Sequence, residues 1–390
     1  MVLGLSAALA SRGIDVTIIT TDSNGDIGQP PLEVPLNQPI EQNGYQIIYF
    51  RCSPFRRYKF SLGLLQWLNQ NARQFDLAHI HAVFSPVTSL AAAIARGRHL
   101  PYIIRPCGML DPADLQKKQL LKQIYAALLE RQNLAGAAAI HFTSQQEAKV
   151  SERFGLSGTG KIPVPQDLVI PLGVTAGFFH NKLQEAPVPI ILFMSRIEPK
   201  KGLDLLIPAL KNILDSGIDF QFILAGSNPQ DADYETQIKE KIANSSLAKS
   251  TAITGFVSGD LKVELLAKAD LFVLPSYYEN FGIAVAEAMA AGTPVVISDR
   301  VHISEDIQQA EAGWVGPLEV GAIASLIKSA LLDPNERKRR GSNAKAYAEK
   351  HYNWGAIAQR TIEAYRQILS SLKPLIGIIF FLFLIDRVMC

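Results

Sequence analysis

Residues 275–292 read PSYYENFGIAVAEAMAAG. Glu279 and Glu287 flank a run that begins Asn280-Phe281-Gly282 and continues rich in alanine. The preceding apolar run, Ala269 to Leu274, reads as a buried strand, and the run after Gly282 reads as a helix. Strand, tight glycine turn and helix form the unit with which α/β proteins build anion pockets. Free backbone N–H groups, the helix dipole and an unhindered glycine converge there. Eight residues of helix rise about 12 Å. A hydrolytic carboxylate pair needs roughly 5–10 Å, so this spacing suits two grips on one long ligand. An ordinary helix with two surface glutamates has the same spacing, so the surrounding chain has to decide.

Outward from this unit, strands and helices alternate in both directions. Downstream of residue 189, strands Ile190–Met194, Phe220–Ala225, 251–254 and Pro294–Ile297 alternate with helices 203–214, 232–243 and 258–267. Helices near 318–332, 335–350 and 354–370 close this half. Upstream, strands Val16–Thr20, Tyr45–Phe50, Leu77–His81, Tyr102–Arg105, Ala137–Phe142 and Leu168–Ile170 alternate with helices 1–11, 61–73, 86–96, 114–134 and 144–154. Residues 22–43, rich in Gly, Pro, Asn and Gln, read as a long loop. Such alternation implies mostly parallel sheets covered by helices on both faces. The expected fold class is α/β, two Rossmann-like doubly wound domains facing a cleft. The expected division is 1–173, a linker 174–188, a second domain 189–352, a closing helix 353–371 and an apolar tail 372–390. The first half starts on a helix, so the strand that should feed it is missing and an incomplete sheet is expected.

The 390 residues are 48% apolar with a net charge of +2, which supports large cores and excludes a strong nucleic-acid field. Cys52, Cys107 and Cys390 are scattered, without CxxC spacing. They argue against a disulfide framework or zinc site and fit a cytoplasmic location. No basic start followed by a long apolar core marks a secretory signal. Leu375 to Ile385 is nearly unbroken apolar sequence, far short of the roughly 20 residues of a spanning helix. It reads as a membrane-dipping anchor, a helix packed on the protein, or an abnormal terminus. Together with the basic aromatic patch Arg51, Phe55, Arg56, Arg57, Tyr58, Lys59 and Phe60, it makes a peripheral contact at the inner membrane face an expectation.

Three more strand exits carry chemistry. Ser195-Arg196-Ile197-Glu198-Pro199-Lys200-Lys201-Gly202 follows a strand and sets two cations, Arg196 and Lys201, where a diphosphate would sit. Leu224-Ala225-Gly226-Ser227 ends a strand in small residues, and Gly255-Phe256-Val257 precedes a helix. A solvated basic turn is the bland reading of the first, and each signal is weak by itself. In order along one sheet edge they build one pocket. Asp231-Ala232-Asp233 has the look of a metal-binding triplet but reads as a helix N-terminus.

These motifs resemble retaining glycosyltransferases of family four, which have the GT-B fold. The resemblance reaches to about residue 370. It rests on SRIEPKKGLD at 195–204, LAGSN at 224–228, GFVSGDL at 255–261, ADLFVLPSYYENFGIAVAEAMAAGTPVV at 269–296 and HIHAVFSP at 79–86. It implies transfer of a sugar from a nucleoside-diphosphate sugar to a glycan or lipid-linked acceptor, with retention, no cofactor and no metal. By motif match, Arg196 and Lys201 would neutralise the diphosphate, Glu279 would contact the transferred sugar and Glu287 would hold the ribose. Backbone around Asn280, Phe281, Gly282 and Ile283 would bind phosphate or sugar. Gly226 would admit the donor and the Val257 backbone would meet the base. On the acceptor side the resemblance points to Cys107 and Gly108, with Pro106-Cys107-Gly108 where family members often read Pro-His-Gly, and His81 is a further candidate. The family also usually begins one strand and a Gly-Gly turn earlier. A truncated relative that binds donor without turnover, and a sugar-nucleotide epimerase, are the alternative readings.

Overall fold

The computed structural model describes residues 1–25, 29–52, 60–116, 118–156, 165–179, 188–372 and 380–385. Residues 53–59 of the basic aromatic patch, most of the linker and the flanks of the apolar tail lie outside them. The strands are β1 (Asp15–Thr21), β2 (Pro39–Gln42), β3 (Tyr45–Phe50), β4 (Leu77–His81), β5 (Tyr102–Arg105), β6 (Ala139–Phe142), β7 (Gln166–Val169), β8 (Ile190–Met194), β9 (Gln221–Ala225), β10 (Thr251–Gly255), β11 (Leu271–Leu274), β12 (Val295–Ser298), β13 (Gly313–Gly316) and β14 (Phe380–Ile385). The chain divides into two compact units. One comprises Met1–Gly173 with Trp354–Cys390, the other Val174–Asn353. The closing helix and β14 therefore belong with the N-terminal half.

The first unit holds an eight-stranded sheet ordered β2-β3-β1-β14-β4-β5-β6-β7. All neighbours run parallel except the β2–β3 hairpin. Sequence reading took β2 for loop. Its signal was Asn43-Gly44, both at positive φ, the two-residue turn that matches strand twist. Apolar cores lie on both faces. One gathers Leu64, Leu68, Ile80, Ile104 and Phe142, the other Leu5, Leu9, Ile18, Ile47, Ile362 and Tyr365. Each such side chain, fully buried, stabilises by about 1.5–3 kcal/mol. Helix Val2–Ala10 packs on helix Trp354–Leu372, and Arg12 donates to the Gly355 carbonyl at 3.0 Å.

β14 changes the expectation of an incomplete sheet. It lies between β1 and β4, pairing Phe383 with Ile18 on one side and with His79 on the other. An empty slot there would leave two rows of backbone N–H and C=O groups unpaired inside the unit, each a costly orphan. A Phe- and Ile-containing segment has the composition for a strand. The expected helix or anchor is thus, over 380–385, a central strand. The predicted helix 114–134 is also divided, into Pro112–Leu115, Gln119–Tyr125, a π-helical turn Ala126–Glu130 and Arg131–Ala135.

The second unit is an all-parallel six-stranded sheet ordered β10-β9-β8-β11-β12-β13. From β8 the chain winds outward through β9 and β10, then returns to the other side of β8 with β11. The order reverses between β8 and β11. In doubly wound sheets that switch point opens the crevice where ligands bind, outside the carboxyl ends of the strands.

Candidate functional site

The exits of β10, β9, β8 and β11 are consecutive across the second sheet, and they line one cavity of about 220 Å³. Arg196, Lys201, Gly226, Val257, Glu279, Gly282, Ile283 and Glu287 all contribute to its wall. Asn280 and Phe281 do not. Phe281 is buried and meets the Tyr352 ring edge-on, so it anchors the turn from behind.

The backbone conformations of the exits follow from their glycines. Gly226 has φ 144°, and a Cβ there would lie 1.8 Å from the Ser195 carbonyl oxygen. The β8 and β9 exits touch through this position, a packing reason for glycine besides ligand approach. Gly282 has φ 77° and caps helix Ile283–Ala290, accepting from the Val285 and Ala286 amides at 2.8 and 3.2 Å. The first amides of that helix have no intrahelical acceptor and carry the positive end of its dipole toward the cavity.

Glu279 lies ahead of this helix, outside the regular 1.5 Å rise assumed from sequence. Its backbone is held by the 300–302 loop, with the Glu279 amide donating to the Arg300 carbonyl at 3.3 Å and the His302 amide donating to the Glu279 carbonyl at 3.0 Å. Its carboxylate bonds the Lys201 ammonium. Both side chains are largely covered, so this pair is shielded from solvent screening. Across the cavity Glu287 bonds Lys262 at 2.6 Å. Burial raises the Glu287 carboxyl above the usual range, against the lowering pull of Lys262. Arg196 is mostly exposed and sits 3.4 Å from Glu198. The His302 imidazole behind Glu279 is pushed down to about 4 by burial, opposed by the Glu279 charge.

Sequence reading missed Lys262 and, within the Gly255-Phe256-Val257 exit, assigned no role to the Phe256 side chain. Lys262 lies on helix Gly259–Lys268, one turn past the β10 exit, and that spacing was its only signal. Phe256 stands on the cavity wall with 76% of its surface exposed, a flat apolar face available for stacking. Asp231 caps helix Ala232–Ala243 by accepting from the Tyr234 amide at 3.2 Å. Among the described residues no cluster of three or more His, Cys, Asp or Glu is placed to hold a metal ion.

His81, Cys107 and Gly108 belong to the first unit. His81 is fully buried on β4 beside His79, whose ring in turn meets His141. His141 donates from Nε2 to the Ile170 carbonyl at 2.9 Å, which leaves its Nδ1 to accept from His79 Nε2 at 3.2 Å. His79 Nδ1 then accepts from the Tyr365 hydroxyl at 2.5 Å. Burial, with repulsion from Arg105, holds His141 down at about 3 and keeps His79 and His81 well below the ordinary range. Cys107 sits at φ 55°, and Cys52 is a free, buried thiol. The Gly108 amide donates to Glu147 at 3.0 Å. A second cavity of about 310 Å³ lies nearby in this unit, lined in part by Gln116, Gln119, Lys122, Gln123, Glu152 and Phe154.

Residues 1–163 match the family described as Glycosyl transferase 4-like domain, and residues 178–347 match Glycosyl transferases group 1. An uncharacterized glycosyltransferase of Methanocaldococcus jannaschii is 35% identical over 183 residues, 45% of this chain and 44% of that one. The alignment therefore spans less than half of that relative's length. The phosphatidyl-myo-inositol mannosyltransferase of Mycobacterium leprae is 25% identical over 381 residues, 95% of this chain and 92% of its own. In fold, the sucrose-phosphate synthase of Thermosynechococcus elongatus superposes with a TM-score of 0.72 at 22% identity, covering 95% of this chain and 93% of that one.

Proposed function

The chain belongs, by its two halves, to the glycosyl transferase 4-like and group 1 glycosyltransferase families, and on that premise we propose that it moves a hexosyl group from a nucleoside-diphosphate sugar to a glycan or lipid-linked acceptor, retaining the anomeric configuration. The observation that carries the reading is the convergence of four adjacent strand exits on one cavity holding Arg196, Lys201, Glu279 and Glu287. The donor diphosphate lies against Arg196, Lys201 and the helix start at Gly282–Ile283. Glu287 receives the ribose hydroxyls and Glu279 the transferred sugar. The base lies against the Val257 backbone and the face of Phe256.

Chemistry then needs charge stabilisation more than a nucleophile. As the bond from the anomeric carbon to the phosphate oxygen breaks, negative charge grows on the diphosphate, where two cations and a helix dipole oppose it without reorganising. The acceptor oxygen bonds the anomeric carbon on the same face, and its proton passes to the departing phosphate oxygen. Glu279 serves by position, and its pairing with Lys201 keeps that lysine aimed before donor arrives. No step requires a metal or a cofactor. The acceptor belongs to the first unit, whose Gln- and Glu-lined cavity with Phe154 has the chemistry for a polyhydroxylated ligand.

A panel of uridine, guanosine and adenosine diphospho-sugars, with and without EDTA, tests this by thermal shift and by release of nucleoside diphosphate. EDTA-insensitive release with one donor is expected. Absence of any donor binding would sink the transferase reading, and donor binding without release would favour the inactive relative.

A further inference from the structure

The surface of the first unit carries a helical stretch, Gln119–Ala135, with a second apolar stripe that faces outward. In an ordinary surface helix the apolar stripe faces the core and polar groups face water. Over Gln119–Ala135 the inward face mixes polar groups with buried Ala126 and Leu134. Glu130 is buried and accepts from the Phe84 amide at 2.7 Å and the Ser89 hydroxyl at 2.6 Å. Asn133 is buried, donates to the Ser89 carbonyl at 2.9 Å and accepts from Arg96 at 3.0 Å. Tyr125 donates to the Ser89 hydroxyl at 2.9 Å. The outward face carries Leu120, Leu121, Ile124 and Leu128, exposed at 71, 62, 51 and 68%. Leu120, Ile124 and Leu128 follow one another at four-residue spacing and form a single stripe.

We propose that this face docks on an anionic lipid surface. The charges around it select that occupant. Lys118 and Arg131 are exposed at its two ends, Glu130, the one acid between them, is turned into the core, and Lys122 alongside is held by Asp114 at 2.6 Å. A second copy of this chain is a poor match, because antiparallel packing of the stripe on itself sets Lys118 against Arg131 and parallel packing sets each cation against its own copy. A protein groove is normally met by aromatic and Arg anchors, whereas this stripe is purely aliphatic and convex. Seventeen residues of helix reach only about 25 Å, and no helix among the described residues is long and apolar enough to cross a membrane. A short basic helix with an aliphatic face lies in the plane of the headgroups, its leucines below and its cations among the phosphates. The inward hydrogen bonds supply the rigidity, since they hold the stripe outward without help from lipid. The proposal stands independently of the sugar-transfer reading.

Co-flotation of the full chain with vesicles tests it, using phosphatidylcholine alone and phosphatidylcholine mixed with phosphatidylglycerol. Binding to the mixed vesicles, weakened by salt and at least about tenfold weaker to phosphatidylcholine, is expected. The triple variant Leu120→Gln, Ile124→Gln, Leu128→Gln changes only exposed positions. It should lose vesicle binding at least about tenfold while keeping its thermal midpoint and its affinity for a nucleoside diphosphate. Lys118→Gln with Arg131→Gln should remove the salt dependence. Failure of the wild-type chain to float with anionic vesicles, or equal flotation of the triple variant, overturns the proposal. So does a concentration-dependent dimer that the same triple variant abolishes, since that would give the face to a second copy.

Discussion

Replacing Glu287 separates affinity from stability in a way that few substitutions do. The carboxylate is 8% exposed and bonds Lys262 at 2.6 Å. In the donor complex it accepts from ribose hydroxyls, and a hydrogen bond to a charged group contributes about 1.5–3 kcal/mol. Each 1.4 kcal/mol is tenfold in affinity, so Glu287→Ala should weaken nucleoside-diphosphate binding roughly 10- to 150-fold. Stability should move differently. Burial lifts the Glu287 carboxyl above its ordinary pKa. A carboxyl raised on folding contributes most below its unfolded pKa, and that contribution is lost as pH rises through the folded value. At neutral pH the ionised group therefore opposes folding, and Glu287→Gln should leave the thermal midpoint of the free protein unchanged or raised. Removing the partner instead strands the carboxylate. Lys262→Met should cost about 1–3 kcal/mol, or about 2–12 °C in midpoint for a unit of this size. Calorimetric titration with a nucleoside diphosphate, its 2′-deoxy analogue and inorganic diphosphate isolates the ribose contact. Wild type should prefer ribose to 2′-deoxyribose, Glu287→Ala should lose that preference, and inorganic diphosphate should not distinguish them. A folded Glu287→Ala variant with unchanged affinity and an intact ribose preference refutes the reasoning.

Glu279→Ala should reduce turnover at least about tenfold with donor affinity changed far less, in steady-state and binding assays compared side by side. Gly226→Ala forces a Cβ into the Ser195 carbonyl at an unfavourable φ, a backbone clash expected to cost more than about 2 kcal/mol and to abolish donor binding, read by denaturant titration. His79, His81 and His141 are depressed by burial, so their contribution is present above about 6.5, the unfolded histidine pKa, and lost as pH falls toward the folded values. Each site steepens the loss by up to about 1.4 kcal/mol per pH unit, and thermal melts at pH 7, 6 and 5 should show the first unit failing ahead of the second. A flat midpoint over that range argues against a neutral, buried triad. Leu382→Pro removes a ladder hydrogen bond from a central strand, where proline is essentially never found, and should unfold the first unit while limited proteolysis still finds residues 174–353 intact.

The donor-side unit was legible because its signals are local. Runs such as ILFM and LFVL have strand length and end in Gly-, Ser- or Arg-containing turns, so the exits at Arg196, Gly226, Val257 and Glu279 could be placed before any tertiary contact was known. Pairings between distant residues were not legible. Nothing local ties Lys262 to Glu287 or Tyr365 to His79: the first pair exists only because two helices pack side by side on the second sheet, the second because helix Trp354–Leu372 packs on β4. His81 read as a loop-edge residue because it ends a strand, but the neighbouring strands and helix Trp354–Leu372 enclose that end. The apolar tail was misjudged for a related reason. Periodicity distinguishes poorly between a short buried helix and a fully buried strand, and what decides is a vacancy between β1 and β4 created by residues some 300 positions away.

That last strand also bears on the order in which the molecule can acquire its structure. Domains generally fold as units during synthesis, N-terminal first. Here β1 and β4 are made early, yet the segment that bridges them is made after the whole second unit. The long sequence separation between β14 and its neighbours gives these contacts a high contact order, which slows folding. The second unit, contiguous from Val174 to Asn353, would then be native while the first still exposes two open strand edges. Those edges are templates for pairing with another chain, so the first unit is where a chaperone would be needed and where aggregation during expression would begin.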